Sequence, residues 1–343
     1  MSSTDVAQVL VVGGGSIGER HVRCFLATSR ARVSLCDTRE EIRQRLAREY
    51  PLEAVYDELE LALAECYDAA VVATPAHRHV ALARRLLEAG CHVLIEKPLS
   101  TSLEGVAELE RAAEQAGKAA GVAYVYRHDV GLAAMRDWLA RGEAGTVLEV
   151  VHVGGQHFPT FRPAYREIYY RSHATGGGAV QDALTHTLNA VEWLVGPITA
   201  VTADTARLLL DGVEVEDTVH ALARHGAVLA SYALNQHQAP NESALSVHGT
   251  LGSARWEPHR RRWLSMTRDE SAWQVHAYEQ PERDTLFVAQ AEAFLDAAAG
   301  RTAIRCSLSE ARQTLAASLA MLESARRRAW VEVRHGGLDT PPA

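Results

Sequence analysis

A chain of 343 residues is too long for one ordinary core, so two domains are expected, each able to bury an interior of its own. With 47% hydrophobic and 23% charged residues, and no apolar run near the roughly 18 residues that a membrane span needs, it reads as a globular protein with no membrane partner. The net charge of −8, with no basic stripe interleaved with aromatics, argues against a nucleic-acid surface and points to small-molecule partners. The opening MSSTDVAQ lacks a basic segment followed by an apolar core, so no signal peptide is expected and the protein is placed in the cytoplasm. Five scattered cysteines (Cys24, Cys36, Cys66, Cys91, Cys306) include no C-x-x-C pair. They read as buried thiols in a reducing compartment, and no metal is expected.

The first element is VAQVLVV, a β-branched apolar run, followed by GGGSIG at residues 13 to 18 and a helical stretch, SIGERHVRCFLATS. A second strand, ARVSLCD, ends on Asp37, nineteen residues past Gly18. Strand, glycine turn, helix, strand and terminal acid appear in the order that a βαβ dinucleotide site requires. Gly13 makes the tight turn, Gly15 lets the backbone approach a pyrophosphate, and Gly18 allows helix and strand to pack closely. Ser16 and Ile17 open the helix, whose unpaired N–H groups and dipole favour an anion. Asp37 would accept hydrogen bonds from ribose hydroxyls and repel a 2′-phosphate, so NAD is the preferred cofactor. Arg39 and Arg43 follow closely and can flank a 2′-phosphate, which leaves NADP open.

The alternation continues through a helix over 39 to 49, a strand near Ala54 and Val55, and a further helix. Residues 68 to 73 form a buried parallel-type strand ending in Ala73-Thr74-Pro75, and a helix containing His79 follows. CHVLIEKPLS is another buried strand, ending in Glu96-Lys97-Pro98. Such strand ends face the ligand crevice of an open parallel sheet, so Thr74, Pro75, His79, Glu96 and Lys97 join the candidate cofactor residues. GKAAGVAYVYR reads as a strand that ends on Tyr124, Tyr126 and Arg127, which either line the pocket or pack in the core.

After the strand VLEVVHV, residues 155 to 175 form a long segment rich in aromatic and basic groups. Lengths of this kind belong to lids or binding loops, so Arg162, Tyr165, Arg166, Tyr169, Tyr170, Arg171 and His173 are candidates for substrate contact. A helix from Gly178 to Val195 follows. At about 100° per residue, Asp182, His186 and Asn189 fall within roughly 60° of one another, with Ala183, Leu184, Leu188, Val191, Leu194 and Val195 opposite. Short strand-like runs between 201 and 267 suggest antiparallel meanders. Residues 285 to 299 and 308 to 328 read as helices, the second a candidate to return to the first domain. GGLDTPPA reads as a mobile tail.

In its segments GGGSIGERH, ATPAHRH (73 to 79), IEKPLS (95 to 100), YVYRH (124 to 128) and GGGAVQDALTHTLN (176 to 189), the chain resembles the glucose–fructose oxidoreductase / inositol dehydrogenase / MocA (Gfo/Idh/MocA) oxidoreductases. The resemblance implies an α/β fold: an N-terminal Rossmann dinucleotide-binding domain, placed at 1–123, and a C-terminal α/β domain with an open, mostly antiparallel sheet, placed at 124–335, before a tail at 336–343. It implies NAD(P)-dependent hydride transfer at a hydroxyl of a sugar or cyclitol ring. It also implies Lys97, Asp182 and His186 as the catalytic set, with Tyr126, Arg127, Tyr169 and Asn189 toward the substrate. Where many members carry an acid, this chain has Asn189, which puts inositol in doubt. Imidazole titrates near neutral pH and suits removal of a hydroxyl proton. Asp182 would orient that ring and the Lys97 ammonium would polarise the oxygen; Lys97 itself is the rival proton acceptor. A homodimer or homotetramer is expected. The rival readings are a ketoreductase for a nucleotide- or carrier-linked sugar and a dinucleotide-binding regulator.

Overall fold

The computed structural model describes residues 6–279 and 284–333. The chain divides into two compact units, Met1–Val125 with Pro281–Arg312, and Tyr126–Gln280 with Gln313–Ala343.

The first unit is built on six parallel strands, β1 (Ala7–Val12), β2 (Ala31–Cys36), β3 (Val55–Tyr56), β4 (Ala69–Val72), β5 (His92–Ile95) and β6 (Ala120–Val122), in the order β3-β2-β1-β4-β5-β6. The apolar runs of β1, β4 and β5 are buried almost throughout, as strands covered on both faces must be. Helices α1 (Ser16–Ala27), α2 (Glu40–Glu49), α3 (Leu59–Leu63), α4 (His79–Glu88) and α5 (Val106–Ala116) connect them. The strand order reverses between β1 and β4, whose carboxyl ends bound the crevice where open parallel sheets take ligands.

The second unit contains α6 (Val130–Ala140), β7 (Val147–Gly155), α7 (Phe158–Phe161) and α8 (Thr185–Val195). It continues with β8 (Ala200–Ala206), β9 (Thr218–His225), β10 (Val228–Asn235), β11 (Glu242–Gly249), β12 (Gly252–Glu257), β13 (Arg262–Thr267) and β14 (Gln274–Ala277). With β15 (Val331–Glu332) these strands form a nine-stranded sheet, β14-β13-β12-β11-β7-β10-β9-β8-β15. The expected antiparallel meanders are present as two, β8 to β10 and β11 to β14, the last strand lying beyond the runs read from the sequence. β7 lies between them, antiparallel to β11 and parallel to β10, so the sheet is mixed and mostly antiparallel.

Three expectations change. Helix α9 (Thr285–Ala298), expected in the second domain, belongs to the first unit: Phe294 and Leu295 complete its core, with Phe294 edge-on to Phe25 at 6.2 Å. Helix α10 (Leu308–Arg327) crosses the division between Arg312 and Gln313, so it returns to the first unit only in its opening residues. Strand β6 stops at Val122 and Val125–His128 form a 3-10 turn, so Tyr126 and Arg127 are not strand residues. The tail placed at 336–343 lies outside the described residues.

Candidate active site

The glycine turn of the first unit has the geometry that a pyrophosphate cradle needs. Gly13 sits at φ +98°, and a Cβ on it would stand 2.6 Å from the Ala73 carbonyl oxygen. A Cβ on Gly18 would stand 1.8 Å from the Gly13 carbonyl oxygen, so only glycine lets α1 pack this close to β1. Gly15 differs: its Cβ would meet nothing nearer than the Arg39 guanidinium at 3.9 Å, and no side chain caps α1 there. Ser16 is exposed and Ile17 half-buried at the same helix end. The turn is tight against the protein and open toward a ligand. Gly14, not among the expected residues, is also constrained, because a Cβ would lie 2.7 Å from Ile42 Cγ2.

Asp37 follows β2 and is buried. Its Oδ2 accepts from the Gly14 N–H at 2.6 Å and its Oδ1 from the Arg39 N–H at 2.9 Å. The half-exposed Arg39 guanidinium bonds both oxygens, at 3.1 and 2.9 Å. Burial raises the Asp37 carboxyl pKa, but these donors outweigh it and hold the group below its ordinary value. After β4, the Thr74 hydroxyl oxygen is buried without a protein hydrogen-bond partner, an acceptor or donor left for a ligand, and Pro75 is exposed. An open Gly15 turn, a fixed acid and an unsatisfied Thr74 hydroxyl fit a dinucleotide.

His79 and Glu96 take other places than expected. His79 is 1% exposed with both ring nitrogens on backbone carbonyls, so it is a tie within the fold and not a ligand contact. Glu96 is 4% exposed and occupied by His21 and the Lys97 N–H. Lys97 is half-buried just beyond β5. Of the 35 lysines and arginines in the chain only Lys97 and Lys118 are lysines. In a chain that uses arginine for its cations almost throughout, a lysine at a strand mouth is a compositional signal that motif reading overlooked.

In the second unit, the expected single helix from Gly178 to Val195 begins as a π-turn, Ala179–Leu184, before α8. The wider turn shifts the phase, a local irregularity often found at functional sites. Asp182 and His186 are half-buried, whereas Asn189 is 1% exposed, and Ala183, Leu194 and Val195 are only half-buried. Asn189 is therefore not directed to a substrate: its Oδ1 accepts from Arg127 Nε at 2.8 Å and its Nδ2 donates to Thr314 at 3.0 Å. Arg127 is likewise buried, with its guanidinium 5.7 Å from the Trp193 ring. The pair ties α8 to the turn that carries Tyr126, whose ring lies 5.1 Å from that of His186.

The segment at 155 to 175 is not a loose lid. Phe158, Tyr165 and Tyr170 pack with Leu210, Val213 and Val215 as a small core of their own. Arg166 pairs with Asp211, and His173 with Glu216 at 2.5 Å. Tyr169 is 41% exposed and donates to Asp182 Oδ1 at 2.7 Å, which brings this segment to the expected catalytic set. Glu216, which sequence reading missed, also accepts from the Val180 N–H at 2.8 Å and fixes the start of the π-turn. Glu192 on α8 was missed as well. Burial pushes its carboxyl up to about 7 despite bonds from Thr314, Gln313 and the Ile198 N–H.

Sheet order, glycine turn and terminal acid define a Rossmann dinucleotide-binding unit joined to a mostly antiparallel α/β unit. Residues 7–124 match the profile of an oxidoreductase family with an NAD-binding Rossmann fold, GFO/IDH/MocA, and residues 132–255 match that family's C-terminal domain. The chain belongs to the Gfo/Idh/MocA oxidoreductase family. It is 31% identical over 194 residues to the uncharacterized oxidoreductase YdgJ of Escherichia coli, covering 54% of this chain and 52% of that protein. It thus spans about half the length of that relative. The alignment with levoglucosan dehydrogenase of Pseudarthrobacter phenanthrenivorans is 23% identical and covers 94% of this chain and 97% of that one. The solved levoglucosan dehydrogenase in complex with NADH and levoglucosan shares the fold, with a TM-score of 0.88 at 21% identity over 95% of this chain and 99% of that one.

Proposed function

We propose that this protein is an NAD-dependent oxidoreductase acting on a secondary alcohol, or the matching ketone, of a sugar or cyclitol ring. The observation that carries this reading is the pairing of a dinucleotide cradle after β1 with the Lys97 ammonium two residues beyond β5 in the same sheet. The near full-length similarity to levoglucosan dehydrogenase supports a ring alcohol as substrate.

The turn from Gly13 to Gly18 and the open end of α1 hold the cofactor pyrophosphate, and Asp37 binds the adenosine ribose. When bound, NAD supplies the acceptor for the hydrogen that leaves the alcohol carbon as hydride. His186 takes the hydroxyl proton on the lone pair of a ring nitrogen. Asp182 orients that ring and stabilises the imidazolium, with Tyr169 donating to its Oδ1 to fix the carboxylate. Lys97 stabilises developing negative charge on the substrate oxygen. All five cysteines are free, four of them buried as expected and Cys66 exposed, and free thiols suit a cytoplasmic enzyme. Val153, Leu222 and Leu229 are about half exposed on one face of the nine-stranded sheet, which supports a homo-oligomer that sedimentation would reveal.

The test is reduced-nicotinamide absorbance with NAD, then NADP, against inositols, aldoses, anhydrosugars and uronates. Turnover of a ring alcohol is expected. Silence on the whole panel with NAD binding intact would overturn the dehydrogenase reading and leave reduction of keto-sugars as the next assay.

A further inference from the structure

The first unit holds two buried histidines for which the reaction leaves no role. His21, on α1 three residues past Gly18, is 1% exposed and its Nε2 lies 2.7 Å from Glu96 Oε1. The other oxygen of that carboxylate, Oε2, accepts from the N–H of Lys97 at 3.1 Å. His79, the first residue of α4, is also 1% exposed, with Nδ1 3.0 Å from the Pro98 carbonyl oxygen and Nε2 2.7 Å from that of Thr74. We infer that His21 and His79 are positioning residues that clamp the Lys97 backbone, one through the residue before it and the other through the residue after it.

Lysine carries a compact charge on a flexible four-carbon stem, so where its ammonium can reach depends on how firmly its backbone is held. Past the end of β5 the Glu96 N–H still bonds the Val72 carbonyl oxygen, at 2.9 Å, but Pro98 has no N–H with which to continue the ladder. Within the loop the Pro98 carbonyl and the Glu96 carboxylate each face a buried histidine. Burying a carboxylate is costly unless it is hydrogen-bonded, and His21 meets that requirement for Glu96. Packing alone would be served by an apolar side chain at position 79. Instead an imidazole lies between two carbonyls, its single N–H in the neutral form donating to one of them, where the end of β4, with its unsatisfied Thr74 hydroxyl, meets the lysine loop. Because α1 begins at the glycine turn, His21 also links the dinucleotide cradle to Lys97 through Glu96. The clamp rests on the assignment of Lys97 to the reaction, but its geometry lies wholly within the first unit.

Near-isosteric variants separate the arms. His79→Asn places an amide nitrogen near the Nδ1 position and keeps a donor for Pro98, whereas His79→Gln reaches the Nε2 position and keeps only Thr74. His21→Gln keeps a donor for Glu96 and His21→Leu does not. Full-length protein is assayed for kcat and KM on a ring alcohol that the wild type oxidises. It is also acylated with a water-soluble N-hydroxysuccinimide ester, with and without NAD, and the labelling of Lys97 is read against Lys118 by mass spectrometry. With only two lysines in the chain, Lys118 is an internal standard.

The expected result is that His79→Gln and His21→Leu lower kcat by about tenfold or more with little change in KM for NAD, as a misplaced catalytic group does. They also change the Lys97 to Lys118 labelling ratio, while His79→Asn and His21→Gln restore both readouts to about wild type. Equal losses in all four variants, or unchanged kcat and labelling in His79→Gln and His21→Leu, would overturn the clamp. If the wild type oxidises no alcohol, the labelling ratio still decides for or against the clamp, and it is then the function that fails.

Discussion

The two units bring their candidate residues into place by different routes. In the first, the glycine turn follows β1, Asp37 follows β2, Thr74 and Pro75 follow β4, and Glu96 and Lys97 follow β5. Each lies just beyond the carboxyl end of a buried strand, so once the parallel sheet forms, its topology carries them to one edge. In the second unit, Tyr126 comes from a 3-10 turn, Tyr169 from a long segment, Asp182 from a π-turn and His186 from α8. Side-chain pairs far apart in sequence hold them: Tyr169 with Asp182, Arg127 with Asn189, and Glu216 with Val180. A site set by strand ends owes its layout to the sheet, whereas a site set by pairs owes it to contacts between residues distant in sequence.

Four expected outcomes sharpen or break that contrast. Lys97→Met should lower kcat by about 10³-fold while NAD affinity stays within a few-fold, because it removes an electrostatic partner and no part of the cradle. Unchanged kcat in steady-state assays would remove Lys97 from the chemistry. Asp37→Ala should weaken NAD by about tenfold, the loss of charge-assisted ribose bonds, and release Arg39 toward a 2′-phosphate. Titration calorimetry with NAD and NADP reads this, and an unaltered affinity ratio would refute the ribose assignment.

Tyr169→Phe deletes one hydrogen bond to Asp182, worth about 0.5–1.5 kcal/mol, and should lower kcat several-fold with the melting temperature nearly unchanged. No loss would mean that the pair is not what orders Asp182. The smallest effect concerns His173, which the Glu216 carboxylate holds above its ordinary value of 6.5. A raised folded pKa gives stability that is fully present below about pH 6.5 and is lost as the pH rises through the folded value. Urea midpoints of the wild type and Glu216→Gln should therefore differ most in mild acid and converge on the alkaline side. A gap independent of pH would leave the pair without an ionic role.

Much of the first unit was legible in the sequence because its signals are local. Apolar runs, glycine spacing and the acid after the second strand fall within a few dozen residues, and backbone sterics act on immediate neighbours. The phase of the helix after Gly178 was not legible, since a π-turn inserts extra arc that a uniform rotation per residue cannot anticipate, and Asn189 therefore turned inward. The segment at 155 to 175 had no period to read because its apolar partners, Leu210, Val213 and Val215, lie some forty residues onward. Helix α9 gave a clear helical pattern but no hint of its destination, as an apolar face does not name the surface that will cover it.

The sequence by itself thus determined the strands and the dinucleotide turn, through spacing and residue chemistry that act along the chain, and its family resemblance implied Lys97, Asp182 and His186 as a catalytic set. Only the tertiary structure decided that Arg127 donates to Asn189, that Tyr169 donates to Asp182, and that His21 and His79 lie against the residues flanking Lys97. Burial forces polar groups to find partners wherever folding has brought them within about 3 Å, and that distance is not written in the order of residues.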